Sequence, residues 1–160
     1  MPIVHFRVDQ RLIHGQVAIA WSKITNPNHI IVANDEVAND KTQQAILKLA
    51  APKQVRLSMV PVDKAIAYMN RGLQSNENVF LLVRDVIDAN RFFAGGLQYA
   101  ELNIGNMGHK KNSLALTKKL YALPEEIQSI KEMVEKQVYC YAQILPSDKK
   151  EDLGPIIKAI

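Results

Sequence analysis

The segment Val79–Val83 of this 160-residue chain reads VFLLV and has no polar position on either face. A strand that is apolar on both faces is typical of a parallel sheet that helices cover on both sides. Strand-like segments also lie at residues 3–8, 30–33 and 55–59, and stretches of helical periodicity separate them. We therefore predict an α/β fold: an open doubly wound, mostly parallel sheet of six or seven strands with helices on both faces.

Apolar residues at helical spacing predict which face of each early helix is buried. For the first helix, the predicted inner residues are Val17, Ala20, Trp21 and Ile24. For the second helix, which Asn39 is expected to cap, they are Thr42, Ala45, Ile46 and Leu49.

The second half of the chain continues the alternation of strands and helices. Residues 110–122 have a mixed pattern, which we interpret as a loop with a short edge strand. No composition shift, low-complexity stretch or internal repeat divides the chain, so residues 1–160 are expected to form one domain. The remaining predicted elements are a helix over 63–71 ending at Gly72, a helix ending at Gly95, strands over 99–104 and 138–145, and a helix beginning at Pro124.

Composition excludes several classes of protein. The single Cys140 excludes an intramolecular disulfide and a multi-cysteine metal site. The 20 basic and 16 acidic residues give a net charge of +4, but the basic residues are scattered, so no nucleic-acid partner is expected. No apolar run approaches the ~20 residues that span a bilayer, and the first residues lack the pattern of a signal peptide. We expect a cytoplasmic protein.

The loop after the first strand, residues 9–16, carries the densest reactive chemistry in the chain. In doubly wound sheets, ligands bind at the loops that follow the carboxyl ends of the strands. Three other loops meet the same condition: residues 34–36, Arg84 with Asp85, and residues 105–108.

His14 is the candidate centre of this site, because imidazole can accept and release a phosphoryl group near neutral pH. Arg11 could hold phosphoryl oxygens in a bidentate fork, and Asp9 could orient the imidazole ring. Gly15 leaves space beside His14, and the first N–H groups of the following helix could bind an anion.

The other three histidines fit structural roles better. His5 lies inside a strand and His29 follows an Asn-Pro-Asn turn. His109 could line the site, but a solvated loop position is the favoured explanation.

Four segments resemble the IIB subunits of the mannose/fructose/sorbose family of the bacterial sugar phosphotransferase system. The first is RVDQRLIHGQV at residues 7–17, whose common family form is R-I/V-D-D-R-L-I-H-G-Q-V. The others are VANDEVANDKTQQ at 32–44, LNIGNMG at 102–108 and AQILPSDK at 142–149, so the resemblance covers nearly the whole chain. Gln10 departs from the pattern, because many members carry a second aspartate there.

The resemblance implies a phosphotransferase that acts as a phosphoryl carrier. A IIA partner would donate a phosphoryl group to Nδ1 of His14, and a hexose-type sugar entering through the membrane subunits IIC and IID would receive it. The protein would then be cytoplasmic and peripherally associated with the membrane permease, and no metal or nucleotide cofactor is expected. Further candidates for phosphoryl binding are Gly15, Gln16, Asn34, Asp35 and Gly105.

Some assignments stay open at the level of sequence. Asn34 and the Gly105 loop have an equally good explanation as turns. The sugar is undetermined among mannose, fructose, sorbose and N-acetyl-hexosamine types, and so is the oligomeric state, a homo-oligomer included. For the docking of IIA we expect a positive rim formed by Arg7, Arg11 and Arg84.

Two other functions compete with the phosphoryl carrier. A histidine-phosphatase-like hydrolase would share Ile13-His14-Gly15, but the arginine directly before the histidine is missing. A nucleotide- or metabolite-binding module would need a glycine-rich phosphate loop after a strand, and the sequence has none.

Overall fold

A seven-stranded sheet forms the centre of the protein in a computed structural model, which describes residues 3–71 and 76–160. The strand order is β3-β2-β4-β1-β5-β8-β9, and every pairing is parallel except that of β8 with β9. The strands of the described residues are β1 (Ile3–Asp9), β2 (His29–Ala33), β3 (Arg56–Val60), β4 (Val79–Val83), β5 (Glu101–Asn106), β6 (Leu114–Ala115), β7 (Tyr121–Ala122), β8 (Tyr139–Ala142) and β9 (Glu151–Asp152). This arrangement confirms the predicted open, mostly parallel sheet.

Helices cover both faces of the sheet, as predicted. The helices are α1 (Gly15–Thr25), α2 (Asp35–Ala38), α3 (Lys41–Ala50), α4 (Val62–Asn70), α5 (Val86–Ala94), α6 (Pro124–Glu135) and α7 (Leu153–Lys158). Helices α1 to α3 bury apolar residues on one face, and α4 to α7 bury theirs on the other. Because α1 and α5 follow the adjacent strands β1 and β4 on opposite faces, the carboxyl ends of these strands form a topological switch point.

The strand β4 shows why its sequence has no polar position. Leu81 and its neighbours at alternate positions enter the core under α4 to α7, whereas Phe80 and Leu82 enter the core under α1 to α3. All three side chains are essentially inaccessible to solvent. Burial of one such side chain stabilises the fold by about 1.5–3 kcal/mol.

The predicted inner face of α3 is wrong. Leu47 is the buried residue of this helix, while Ile46 is 57% and Leu49 is 85% exposed. The helix is capped by Asp40, because Asn39 instead ends the one-turn helix α2. The Gln44 side chain donates hydrogen bonds to two carbonyl oxygens of α2, and these bonds hold the Gln44–Leu47 face inward.

Smaller differences occur elsewhere. In α1 the buried residues are Val17, Ala18 and Trp21, and Ile24 is exposed. The mixed segment contains the hairpin β6–β7, which pairs as a separate two-stranded sheet. Strand β5 begins at Glu101 and extends to Asn106, two residues later at each end than predicted. The predicted helix end at Gly72 lies outside the described residues.

Candidate functional site

The loop after β1 is held in place by its own apolar residues. Leu12 and Ile13 are buried in the core under α1 to α3. Leu12 has a φ of 57°, a left-handed conformation, and its N–H donates to the carbonyl of Asp9 at 2.9 Å. This tight turn directs Leu12 and Ile13 inward and leaves Arg11 and His14 at the surface.

His14 lies at the N-cap position of α1, and its side chain is exposed. Its carbonyl accepts the hydrogen bond of Ala18 at 2.9 Å, but its ring makes no capping bond. The first N–H groups of a helix lack intrahelical acceptors and carry partial positive charge. A Cβ added to Gly15 would meet nothing within 4 Å, so the space above this helix end is open. Gln16 is also exposed there.

Asp9 is fully buried at the end of β1 and holds Arg11 rather than His14. Its Oδ1 accepts from the Arg11 backbone N–H at 2.9 Å and from the Arg11 Nε at 3.4 Å. It also accepts from the Asn106 side chain at 3.5 Å, and its Oδ2 accepts from the Arg7 Nη2 at 3.3 Å. Asp9 was expected to orient the His14 ring, but no hydrogen bond joins the two in the described part of the chain, because Arg7, Arg11 and Asn106 engage the carboxylate oxygens instead.

Arg7 is a buried support of the site, not part of a positive rim as predicted. It is 1% exposed and donates to Asn103 Oδ1 and, at 3.1 Å, to the Gln143 carbonyl. Burial lowers the pKa of Arg7, and the adjacent Asp9 opposes that shift. The alternation His5-x-Arg7-x-Asp9 in the sequence indicates this buried polar cluster, because it puts three polar side chains on one face of a central strand.

Gly105 provides the space for this buried guanidinium. A Cβ at Gly105 would lie 2.0 Å from Arg7 Cζ, so only glycine fits beside this arginine. The contact gives Gly105 a packing function at the position predicted to bind a phosphoryl group.

His5 has a structural role, as predicted. Its ring stacks on Trp21 at 4.1 Å between centroids, and its Nε2 lies 3.1 Å from Asn103 Oδ1. Burial lowers the pKa of His5 to about 3, so the ring is neutral at physiological pH. The Trp21 indole N–H donates to the Ile144 carbonyl at 2.9 Å, and this bond ties α1 to the loop after β8.

Gln10, the departure from the family pattern, links two of the predicted loops. Its Oε1 accepts from the Gly108 N–H at 3.0 Å, and its own N–H donates to the Asn106 carbonyl at 3.2 Å. His109, which follows Gly108, is exposed. Its ring packs edge to face on Tyr121, with 5.3 Å between the ring centroids.

Asn34 and Asp35 are engaged in local structure. Asn34 Oδ1 accepts from the Val37 N–H at 3.0 Å and caps α2. Asp35 Oδ1 accepts from the Val62 N–H at 2.9 Å, which fastens α2 to the start of α4. None of these contacts includes Asp9, Arg11 or His14.

Arg84 lies beside the first loop, after β4. It is 3.6 Å from Glu36 Oε2 and lines a cleft of about 360 Å³ together with Gln10. Lys110, on the same cleft, is paired with the buried Glu126 at 3.1 Å.

Fold and site define a class of protein: a doubly wound α/β protein with an exposed imidazole at a helix N-terminus, in the same loop as an arginine that a buried aspartate positions. Comparisons with known proteins identify the family. The family described as PTS system sorbose subfamily IIB component matches residues 3–160. The chain belongs to this family and is a phosphotransferase component of sugar transport.

Individual relatives support this assignment. The sorbose-specific EIIB component of Klebsiella pneumoniae is 36% identical over 148 residues, 92% of this chain and 90% of the relative. The mannose-specific EIIAB component of Escherichia coli K12 is 31% identical over 154 residues, 96% of this chain and 48% of the relative. The crystal structure of the IIBSor domain of the Klebsiella pneumoniae sorbose permease superposes with a TM-score of 0.91 at 34% identity, covering 99% of this chain and 98% of that one. Among the described residues, no helix is long and apolar enough to cross a membrane.

Proposed function

We propose that this IIB component carries a phosphoryl group on His14. The exposed ring of His14 at the N-terminus of α1, close in sequence to the held Arg11, is the observation that supports this role. A IIA protein donates the phosphoryl group, and a hexose-type sugar that enters through IIC and IID receives it. In the first transfer, the bond between phosphorus and the donor imidazole breaks as the bond to His14 Nδ1 forms. In the second, the sugar oxygen attacks phosphorus as the bond to Nδ1 breaks, and in the net step the released imidazole takes up the hydroxyl proton.

The negative charge of the transferred group meets two kinds of donor. The backbone N–H groups of Gly15 and Gln16 are free of intrahelical acceptors at the start of α1. Arg11 is 42% exposed, and the described contacts use its backbone N–H and Nε, which leaves its Nη groups for phosphoryl oxygens. Because Asp9 holds Arg11 before the group arrives, less conformational freedom is lost on transfer.

The other residues predicted to bind the phosphoryl group, Asn34, Asp35 and Gly105, have structural roles in this proposal. Asn34 and Asp35 shape the turn after β2, and Gly105 leaves room for Arg7. Their contacts support the geometry of the carboxyl edge of the sheet rather than direct contact with the phosphoryl group.

Membership of the family supports the proposed partner and location. The Escherichia coli relative is named EIIAB, and the present chain matches about half of its length, which supports a IIA protein as the donor. We propose that residues 1–160 act as one cytoplasmic domain that associates peripherally with the membrane permease, alone or as a homo-oligomer.

Phosphorylation of purified variants tests the proposal. The wild-type protein is incubated with a phosphoenolpyruvate-driven phosphorelay that includes IIA, and its intact mass is measured. The expected result is one added phosphoryl group that persists until an acceptor is supplied. His14→Ala should gain none, whereas the matched variant His109→Ala, also at an exposed histidine, should gain one.

Each alternative function predicts another result in the same assay. A phosphatase would turn the group over without an acceptor, and a binding module would never take it. Acid-labile phosphate on His14→Ala would overturn the assignment of the carrier residue.

A further inference from the structure

A second cleft lies along β3, an edge strand that two other strands separate from β1. It has a volume of about 490 Å³ and is formed between β2, β3 and α4. His29 and Arg56, which line it, are the first residues of β2 and β3, whereas His14 follows the carboxyl end of β1. The cleft extends along β3 from Arg56 to Val60 on the face that α4 covers. Helix α1, which begins after His14, covers the other face, so the two sites are separate.

We propose that this cleft binds a small organic phosphate. The phosphate group lies among Arg56, Lys64 and Arg71, and the organic part lies on an apolar floor.

The cations of the cleft come from both of its walls. Arg56 projects from β3, Lys64 from α4, and Arg71 is the C-cap residue of α4. Within the described residues, none of the three has a carboxylate oxygen within 4.0 Å, whereas the other arginines each have one. The other arginines are Arg7, Arg11, Arg84 and Arg91. Unpaired cations that line one concave surface are suited to an anionic ligand.

Polar side chains on the wall are held by a hydrogen-bond network. His29 is buried, and its Nε2 lies 2.8 Å from Ser58 Oγ while its Nδ1 lies 3.0 Å from Glu77 Oε1. The Tyr68 hydroxyl donates to the same Glu77 oxygen. This hydrogen bond is the main cause of the raised pKa of Tyr68, which keeps the phenol neutral.

Glu77 is the one acidic residue that these network bonds bring to the cleft. It lies on an adjoining smaller cleft, and its carboxylate is bonded to His29 and Tyr68. Three cations against this one carboxylate leave the cleft positive. The Arg71 guanidinium rests 6.0 Å above the Tyr68 ring, which holds it at the mouth of the cleft.

The chemistry of the lining selects the class of ligand. Two guanidinium groups can each form bidentate bonds with phosphate oxygens. The floor consists of Ile31, Val60 and Ala65, so an inorganic ion would leave it uncovered. The volume is within the usual range of small-molecule sites, about 300–1,000 Å³. A phosphate attached to one ring therefore fits both parts of the cleft.

Phenyl phosphate is the probe, followed by amide-resolved NMR on the full chain. The expected result is a saturable shift of amide signals in residues 56–58 and 64–71, separate from any shift in residues 14–17. Arg56→Gln and Arg71→Gln should each weaken binding at least tenfold, which is about 1.4 kcal/mol. Lys118→Gln is the matched control, since this exposed cation lines another cleft, and it should leave the affinity unchanged.

Three outcomes would overturn the proposal. These are shifts confined to residues 14–17, no saturation below about 10 mM, and an equal loss of affinity in Lys118→Gln. Inorganic phosphate binding as tightly as phenyl phosphate would overturn the assignment to an organic phosphate. Phosphorylation of His14 in Arg56→Gln is measured in parallel and should equal that of the wild type, so a failure at this cleft is distinguishable from a failure of the carrier function.

Discussion

The carboxylate of Asp9 connects a buried arginine to an exposed one. One oxygen accepts from the Arg11 backbone at 2.9 Å, and the other lies 3.3 Å from the guanidinium of Arg7, which is 1% exposed. Arg7 thus fixes Asp9, and Asp9 fixes Arg11 in the loop that also carries His14. The position of the exposed Arg11 guanidinium therefore depends on the buried ion pair of Arg7 and Asp9.

Replacement of Asp9 by Asn should therefore damage both stability and transfer. The change leaves the Arg7 charge buried without a carboxylate, and the loss of one partner of a buried pair costs about 3–5 kcal/mol. Urea unfolding measures this loss, and phosphoryl transfer from IIA should slow in the fraction that remains folded. The control is Asp40→Asn, an exposed helix cap where asparagine serves equally well, with a change within about 0.5 kcal/mol. Equal stability of the two variants would contradict the coupling.

Replacement of Arg11 by Lys tests the geometry of the guanidinium. Lysine keeps the charge but loses the fork that binds two oxygens at once. Phosphoryl transfer from IIA should slow more than tenfold, which corresponds to an activation free energy higher by about 1.4 kcal/mol or more. The free energy of unfolding should not change. Arg84→Lys, which keeps a charge on the same edge of the sheet, should transfer at nearly the wild-type rate. Wild-type kinetics in Arg11→Lys would reduce Arg11 to a surface charge.

Two glycines near the site should respond in opposite ways to alanine. In Gly105→Ala the new Cβ would collide with the Arg7 guanidinium at 2.0 Å. We therefore expect the free energy of unfolding to fall by about 3 kcal/mol or more. In Gly15→Ala the Cβ meets nothing within 4 Å, so stability should change by less than about 1 kcal/mol. Transfer should nevertheless slow in Gly15→Ala, because the methyl group occupies the space beside His14. Chemical unfolding and transfer kinetics together decide both cases, and a stable Gly105→Ala would refute the packing function.

Charge at the rim should govern the docking of IIA. The Arg84 side chain is 29% exposed and that of Glu36, with which it is paired, is 87% exposed. An acidic residue of IIA can therefore replace Glu36 as the partner of Arg84. Arg84→Glu should raise the apparent KM for IIA before it lowers kcat, because steering acts on association. The wild-type rate should also fall as salt rises from about 50 to 300 mM. A rate that is indifferent to both changes would mean that docking relies on shape and apolar contact.

The sequence by itself determined the fold class and the family. An apolar run such as Val79–Val83 is stable only where both faces are covered, so a parallel sheet between helices follows from local composition. The motif at residues 7–17 is a contiguous string, and it identified the family without any knowledge of long-range contacts. The assignment of His14 as the phosphoryl carrier stays a prediction.

Only the tertiary structure decided which neighbours these residues have. Leu47 and Leu49 are equally apolar, but Leu47 is buried on the side of α3 where Gln44 is bonded to α2, and Leu49 is exposed. Arg7 looks like a surface cation in the sequence, yet the space left by Gly105, nearly a hundred residues later, allows it to be buried. Local sequence patterns predict strands, helices and turns. Burial and charge pairing depend on groups that are distant in the chain and adjacent only after folding.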